Sequence, residues 1–216
     1  MNKEKGREIE ASYGKEVYAK DSYFEITQLQ SQVFQLTGIR RFSPKKIIEV
    51  GVGSGFTSIF LRRAGYSVTT IDINKNLEPD ICCDISEILQ KVEAKEYDLA
   101  VCCQVLEHLP FDEFEACIER LSKFGNLYLT LPNYFSYFGF AGILRIPHIR
   151  KPFSLYLKSP LHTKKLNESI HYWEIDSDKE TRRKSIVKIL KKYFNKVDVE
   201  IIPTNPYHLQ FFCYGK

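Results

Sequence analysis

No apolar run in this 216-residue chain is long enough to cross a bilayer. The longest, Tyr134 to Leu144, is about half of the ~20 residues that a spanning helix requires. There is also no C-x-x-C spacing. The six cysteines fall as two adjacent pairs, Cys82-Cys83 and Cys102-Cys103, plus Cys117 and Cys213. Neighbouring strand residues point to opposite faces, so an adjacent pair is poorly placed to set both sulfurs on one metal. The expectation is buried free thiols and no metal site. No block of one charge occurs: 31 Lys and Arg against 27 Asp and Glu leave a scattered net charge of +4, which neither demands nor excludes nucleic acid. Internal repeats and low-complexity segments are absent too, which excludes solenoids and arrays. The first twenty residues are charged, with Lys3, Glu4, Lys5, Arg7, Glu8 and Glu10, and offer no export signal. Together with free thiols, this predicts a cytoplasmic protein.

What is present is ordinary globular composition, 44% hydrophobic and 27% charged. A single domain of this size buries roughly 70% of the surface its unfolded chain exposes, so no staple is needed. After residue 44 the signals alternate as in a parallel α/β sheet. The spacing predicts strands at 45–50, 67–73, 80–83, 98–105 and 126–131, with helices at 56–64, 85–94 and 110–124 between them. Residues 74–79 are too few for a full crossover helix. A basic helix, 181–194, leads to two strands, 197–202 and 208–214, whose short link makes them antiparallel. Before the core, 23–36 reads as an amphipathic helix through Ile26, Leu29, Val33 and Leu36, and residues 1–20 read as mobile. Residues 133–176 show no clean period and carry three prolines, many aromatics and His148, His162 and His171. Such a stretch in a compact domain is expected to be a functional lid. Its aromatic run beside Arg145, Arg150 and Lys151 suits a substrate cap, with a membrane surface as the other partner it could touch.

The chemistry concentrates at Glu49-Val50-Gly51-Val52-Gly53-Ser54-Gly55, after the first strand, and at Asp72, at the end of the second. Glycines let backbone approach a ligand closely, and an acid some twenty residues on can hold ribose hydroxyls. A nicotinamide dinucleotide would also fit those two features. The G-x-G-x-G spacing and the acid before the first glycine favour a cationic ligand over a pyrophosphate.

With Val105-Leu106-Glu107-His108-Leu109 after the fourth strand, the chain resembles the class I S-adenosylmethionine-dependent methyltransferases over residues 45–132, and more loosely in its C-terminal strand pair. The resemblance implies a doubly wound, mostly parallel seven-stranded sheet with an antiparallel C-terminal strand. It implies a helical segment, 1–40, over the cofactor cleft, and a methyltransferase domain, 41–216, with 133–176 as a lid insertion. By position, Glu49 and the backbone of Gly51 and Gly53 face the cofactor's methionine end, Gly55 belongs to the same cofactor-binding loop, Asp72 holds the ribose and Ile73 packs on adenine. Asp84, beside Ile85, accepts the adenine amino group, and Gln104 lies near the methionine amino group and the methyl.

Methyl transfer needs donor and acceptor held in line, so positioning supplies much of the catalysis. For a hydroxyl acceptor, His108 and His171 are the candidate bases. The fourth strand runs into Cys103-Gln104-Val105-Leu106 rather than the Asn/Asp-Pro-Pro-Tyr expected for amines of bases. The expected acceptor is therefore a hydroxyl of a small molecule or sugar. RNA or protein methylation, cofactor binding without turnover and NAD-dependent redox chemistry are the alternatives.

Overall fold

The computed structural model describes residues 3–159 and 171–215. Three helices come first: α1 (Lys3–Ser12), α2 (Asp21–Phe24) and α3 (Ile26–Arg40). The alternating part runs β1 (Lys46–Val50), α4 (Phe56–Arg63), β2 (Ser67–Asp72), β3 (Ile81–Cys82), α5 (Ile88–Lys91), β4 (Leu99–Cys103), α6 (Phe114–Ser122) and β5 (Asn126–Pro132). It closes with β6 (Tyr137–Ile146), β7 (Ile149–Lys158), α7 (Arg183–Tyr193), β8 (Lys196–Ile202) and β9 (Asn205–Tyr214).

Seven strands form one sheet in the order β3-β2-β1-β4-β5-β9-β8. The first five are parallel, and β9 runs antiparallel to both β5 and β8. This is the doubly wound, mixed-edge sheet that the sequence predicts. The order reverses between β1 and β4, and the crevice at the carboxyl ends of those strands is where such sheets hold ligands. Each face has its own core. On one, Phe114, Ile118 and Leu121 of α6 and Ile186 and Leu190 of α7 cover Ile48, Ala100 and Leu129. On the other, Leu36 and Ile39 of α3 and Leu61 of α4 meet Ile47, Tyr128 and Phe212. Gly38 lets α3 lie close there: a Cβ on it would stand 2.6 Å from the Tyr128 ring. Cys83, Cys102, Cys117 and Cys213 are buried free thiols, as expected of small strand and helix residues, while Cys82 is exposed.

Several expectations need correction. The polar helix expected at 85–94 is broken into a 3-10 turn, Ile85–Glu87, the single turn of α5 and a second 3-10 turn, Ala94–Glu96, because Val92 takes up extended backbone. The helix expected at 23–36 starts at Ile26 and reaches Arg40, since Glu25 is non-helical. Its buried face is also different. Ile26, Leu29 and Val33 are exposed, whereas Ser31 and Gln35 are buried beside Leu36. Ser31 turns inward because its Oγ meets Asn205 Nδ2 at 3.0 Å and His208 Nδ1 at 3.1 Å from β9. In place of the mobile segment expected at 1–20, α1 covers Lys3–Ser12 and a 3-10 turn, Lys15–Ala19, follows it. Polar bonds to Asn74, Asp84 and Glu113 anchor them.

Within 133–176 the irregular stretch contains a regular hairpin. β6 and β7 pair over ten registers as a separate two-stranded sheet. Its base is tied down: Tyr156 donates its hydroxyl to the Pro203 carbonyl at 2.6 Å, and Lys158 Nζ sits 3.0 Å from the Phe135 ring centroid. Beyond the base, Phe138, Phe140, Ile143, Leu144, Phe153 and Leu157 are exposed. Residues 160–170 of the expected lid, with His162, lie outside the described residues.

Candidate functional site

The loop after β1 is shaped by three glycines at positive φ, Gly51 at +87°, Gly53 at +54° and Gly55 at +75°. Gly51 has a second reason to be glycine. Its N–H donates to the Ile71 carbonyl at 2.8 Å, and a Cβ there would lie 2.3 Å from Val105 Cγ2. Asp72 fixes the loop's far side: its two oxygens accept the N–H groups of Val52 and Asn74, each at 2.8 Å. Burial raises the Asp72 carboxyl, with those backbone donors working against the rise. Beside this loop opens a cavity of about 380 Å³.

Glu49, Gly51, Gly53, Asp72, Ile73, Asp84, Ile85, Gln104, His108 and His171 all line this one cavity. Of the residues singled out in the sequence, Gly55 does not. It stands at the start of α4 as the residue that turns the chain into the helix, so its role is to shape the loop and not to line the site. Asp84 is also more engaged than expected. Its Oδ1 accepts the Ser86 N–H at 2.8 Å and its Oδ2 the Arg7 Nε at 2.9 Å. These partners outweigh burial and hold its carboxyl below the usual range.

Glu49 is almost fully buried, and its Oε2 has no hydrogen-bond partner among the described residues. Burial pushes its carboxyl from 4.5 up to about 8. Gln104 has φ +57, unusual outside glycine, and its Nε2 donates to Thr130 Oγ1 at 3.2 Å. Such backbone strain persists where the surroundings impose it, and functional sites are enriched in it.

The wall facing the glycine loop is built by residues that carry no motif in the sequence. Arg7 on α1 donates to Asp84 and, at 2.6 Å, to Glu113 Oε2. Asn74, fully buried, donates through Nδ2 to the carbonyls of Glu10 and Tyr13, both at 2.9 Å. Tyr13, Tyr18 and Tyr23 line the cavity, with the rings of Tyr18 and Tyr23 edge to face at 5.0 Å. The five-residue spacing of these tyrosines was the available signal. A charged, tyrosine-spaced segment has no apolar face, and hydropathy alone gives it no place to dock.

At the other end, His108 and His171 meet edge to face at 4.8 Å between ring centroids. His108 Nδ1 lies 3.2 Å from Glu10 Oε1. Burial opposes its charged form, yet Glu10 and Glu107 outweigh burial and hold its pKa above the ordinary value. Glu107 itself is fully buried, and burial raises its carboxyl against the pull of both imidazoles. His171 Nδ1 lies 2.9 Å from Glu174 Oε1, which also accepts the Tyr207 hydroxyl at 2.8 Å. The next residues dock this segment: Tyr172 donates its N–H to the Glu107 carbonyl at 2.9 Å, and Trp173 Nε1 donates to the Leu109 carbonyl at 2.9 Å. Residues 133–159 do not line the cavity, so from the expected lid only His171 reaches it among the described residues.

A doubly wound sheet with an acid-lined, glycine-cradled cleft at its switch point defines a class of fold, and known structures share it. The structure of an S-adenosylmethionine-dependent methyltransferase from Clostridium acetobutylicum superposes with a TM-score of 0.56 at 11% identity, over 93% of this chain and 97% of the other. The 1,6-didemethyltoxoflavin-N1-methyltransferase of Burkholderia thailandensis gives 0.55 at 13% identity, over 94% of this chain and 87% of the other. At such identities the likeness is one of fold alone. The methyltransferase-domain family model matches residues 23–201, and the chain belongs to that family. Among curated relatives, the mitochondrial ubiquinone biosynthesis O-methyltransferase of Schizosaccharomyces pombe is 30% identical over 105 residues, 41% of this chain and 38% of the relative. The ubiquinone biosynthesis O-methyltransferase of Pseudomonas aeruginosa strain LESB58 is 28% identical over 104 residues, 41% of this chain and 45% of the relative. The matched region is thus less than half the length of either curated relative. Among the described residues, no helix is long and apolar enough to cross a membrane.

Proposed function

We propose that this chain transfers a methyl group from S-adenosylmethionine to a hydroxyl oxygen of a small molecule or sugar. The observation that carries the reading is Glu49, a buried carboxylate with an unpartnered oxygen facing a glycine-cradled cavity. With Glu10, Asp72 and Asp84 on the same walls and Arg7 as the one Lys or Arg among the lining residues, the cavity favours a cation and disfavours a pyrophosphate. The Gly51 backbone, with no room for a Cβ, supports close approach of the ligand's methionine end. The Asp72 carboxylate keeps acceptor capacity beyond its two backbone donors, which suits ribose hydroxyls. Ile73 and Ile85 supply the apolar walls that an adenine ring needs, and the amide of Gln104 stands toward the amino end. Bound there, the cofactor supplies an electrophilic methyl on a sulfonium: the acceptor oxygen gains that carbon as the carbon–sulfur bond breaks, and S-adenosylhomocysteine leaves. What the chain's own residues contribute is alignment, exclusion of water and activation of the acceptor oxygen. His108 and His171, on the acceptor side, are the groups placed to activate it.

The hydroxyl assignment draws on two further observations. Residues 103–106 lack the amine-type segment, and the curated relatives carry O-methyltransferase names. The exposed apolar hairpin suits an acceptor with an apolar portion, for which it would act as a cap.

Calorimetric titration with S-adenosylmethionine, S-adenosylhomocysteine and NAD tests the core of this reading, using the wild type, Asp72→Asn and Asp72→Ala. Binding of the first two that both variants weaken, with NAD much weaker, is the expected result. Tighter binding of NAD, or no binding of either sulfur compound, overturns it.

A further inference from the structure

His108 and His171 belong to a tighter cluster than acid–base catalysis requires. Glu107 precedes His108 on the 3-10 turn Leu106–His108, at the carboxyl end of β4, and His171 arrives from the segment before α7. One ligand atom from each of the three lies within 4.8 Å of the others. Three ligands on one ion with ~2.1 Å bonds at tetrahedral angles stand ~3.4 Å apart, so side-chain rotations that bring these atoms about 1 Å closer together close the set.

Three further observations point to a cation there. Glu107 is fully buried, and neither of its carboxylate oxygens has a hydrogen-bond partner among the described residues. A buried carboxylate with no donor is among the costliest groups a fold can keep, and metal coordination is one of the few arrangements that stabilise it. Second, His171 is held as metal-binding histidines are. Its Nδ1 faces the fully buried Glu174, whose Oε1 is fixed in turn by the Tyr207 hydroxyl. A carboxylate on Nδ1 sets the tautomer that places the lone pair on Nε2. His108 Nδ1 lies 3.2 Å from Glu10 Oε1, within ion-pair distance but without a hydrogen bond. Third, both histidines, though not Glu107, line the cavity, so the cluster stands beside the space where the proposed acceptor would sit.

We propose that Glu107, His108 and His171 bind a divalent first-row cation of the manganese, cobalt or zinc kind, which holds and acidifies the acceptor hydroxyl. Two imidazoles and a carboxylate are the donor set that such ions favour over calcium or magnesium. This deepens the proposed O-methylation and rests on it for the ion's purpose, although not for its binding. Both histidines then serve as ligands. The acceptor's proton passes to water once its oxygen is coordinated, and that oxygen forms the bond to the methyl carbon as the carbon–sulfur bond breaks. An acceptor with two neighbouring oxygens would use two open positions and gain orientation as well.

The test uses the whole chain, stripped with a chelator and titrated with manganese followed by electron paramagnetic resonance, then with cobalt followed by visible absorption. Wild type is expected to bind one ion per chain and to give cobalt d–d bands characteristic of mixed nitrogen and oxygen ligation. His171→Ala and Glu107→Gln should abolish those bands, and Glu174→Gln, which touches no ion, should weaken binding by about 10–100-fold. S-adenosylhomocysteine titration of the same proteins is the control. His171→Ala should bind it as wild type does, which shows a folded chain and an intact donor site even if Glu107→Gln fails to fold. Absence of a stoichiometric site in wild type, or its persistence in His171→Ala, overturns the proposal. Stoichiometric metal binding without any affinity for S-adenosylhomocysteine would instead leave the metal site standing and remove the methyl-transfer reading.

Discussion

Replacing Glu49 by Gln should stabilise the ligand-free protein while removing its affinity for S-adenosylmethionine, and the size of the first effect follows from burial. The carboxyl has an ordinary pKa of 4.5 and is raised to about 8 in the fold. A raised carboxyl pKa means that the folded state holds a proton the unfolded state gives up. The contribution to stability is therefore full below pH 4.5, is lost progressively as pH rises toward 8, and stays lost above it. At about 1.4 kcal/mol per pKa unit, the loss approaches ~3 kcal/mol at pH 7 and ~5 kcal/mol at pH 9. These are ceilings, since a real interior relaxes and admits water when a charge forms. Gln has nearly the same shape and does not titrate, so it escapes this loss, while all other titrating groups are common to both proteins and cancel. Urea denaturation of both proteins from pH 5 to 9, without cofactor, should give curves that diverge steadily, the variant being more stable by up to about 3 kcal/mol at neutral pH. Parallel curves would refute the reasoning. The same linkage predicts that binding a cation expels the Glu49 proton near pH 7. Wild-type affinity for S-adenosylmethionine should then rise with pH up to about 8, and the binding enthalpy should depend on the ionisation enthalpy of the buffer, neither of which Glu49→Gln should show.

Three further outcomes test the walls of the site. Gly51→Ala introduces a Cβ 2.3 Å from Val105 Cγ2 at φ +87; thermal unfolding should reveal a loss of about 2–4 kcal/mol. Adding Val105→Ala should restore only the clash portion, and an undiminished single variant would refute the cradle. Arg7→Ala breaks the bonds to Asp84 and Glu113, so limited proteolysis should cut within α1 sooner, and S-adenosylhomocysteine affinity should fall several-fold with little change in global stability; unchanged proteolysis would show that α1 docks by other means. Excising residues 138–157 and closing the gap with a short glycine turn should leave S-adenosylhomocysteine affinity unchanged and weaken use of an apolar acceptor. Collapse of cofactor binding in that variant would make the hairpin a structural part of the domain.

The sheet was legible because each of its strands bears a local signature. β4 and β5 are buried on both faces and are apolar almost throughout, and the glycine turn and Asp72 stand at the ends of consecutive strands, where the parallel crossover brings them together. Contacts made across the chain had no such signature. Arg7 reaches Asp84 and Glu113 over sequence separations of 77 and 106 residues, and the segment that carries it has no apolar stripe, so it reads as unstructured although polar bonds hold it. The inward face of α3 differs for the same reason: Ser31 is held inward by partners on β9 rather than by hydrophobicity, with Gln35 buried on the same side. The hairpin of β6 and β7 escaped because alternation arises only where one face of a strand is buried, and here both faces are largely exposed.

The same distinction separates the two ends of the cavity. The end proposed to hold the methyl donor is encoded by neighbours in sequence, Glu49 to Gly53 and then Asp72, so the order of residues alone points to it. The end proposed for the acceptor is assembled from Glu10, Glu107, His108, His171, Glu174 and Tyr207, drawn from four distant stretches, and none of these residues belongs to a spaced motif that would join it to the others. Glu107 illustrates the consequence. In the sequence it is the middle of a V-L-E-H-L segment, and only the fold shows it buried, without a hydrogen-bond partner among the described residues, and within reach of two imidazoles. On the proposed reading, the site for the methyl donor is written locally in the sequence, whereas that for the acceptor is specified by which distant side chains the fold brings to the far end of the cleft.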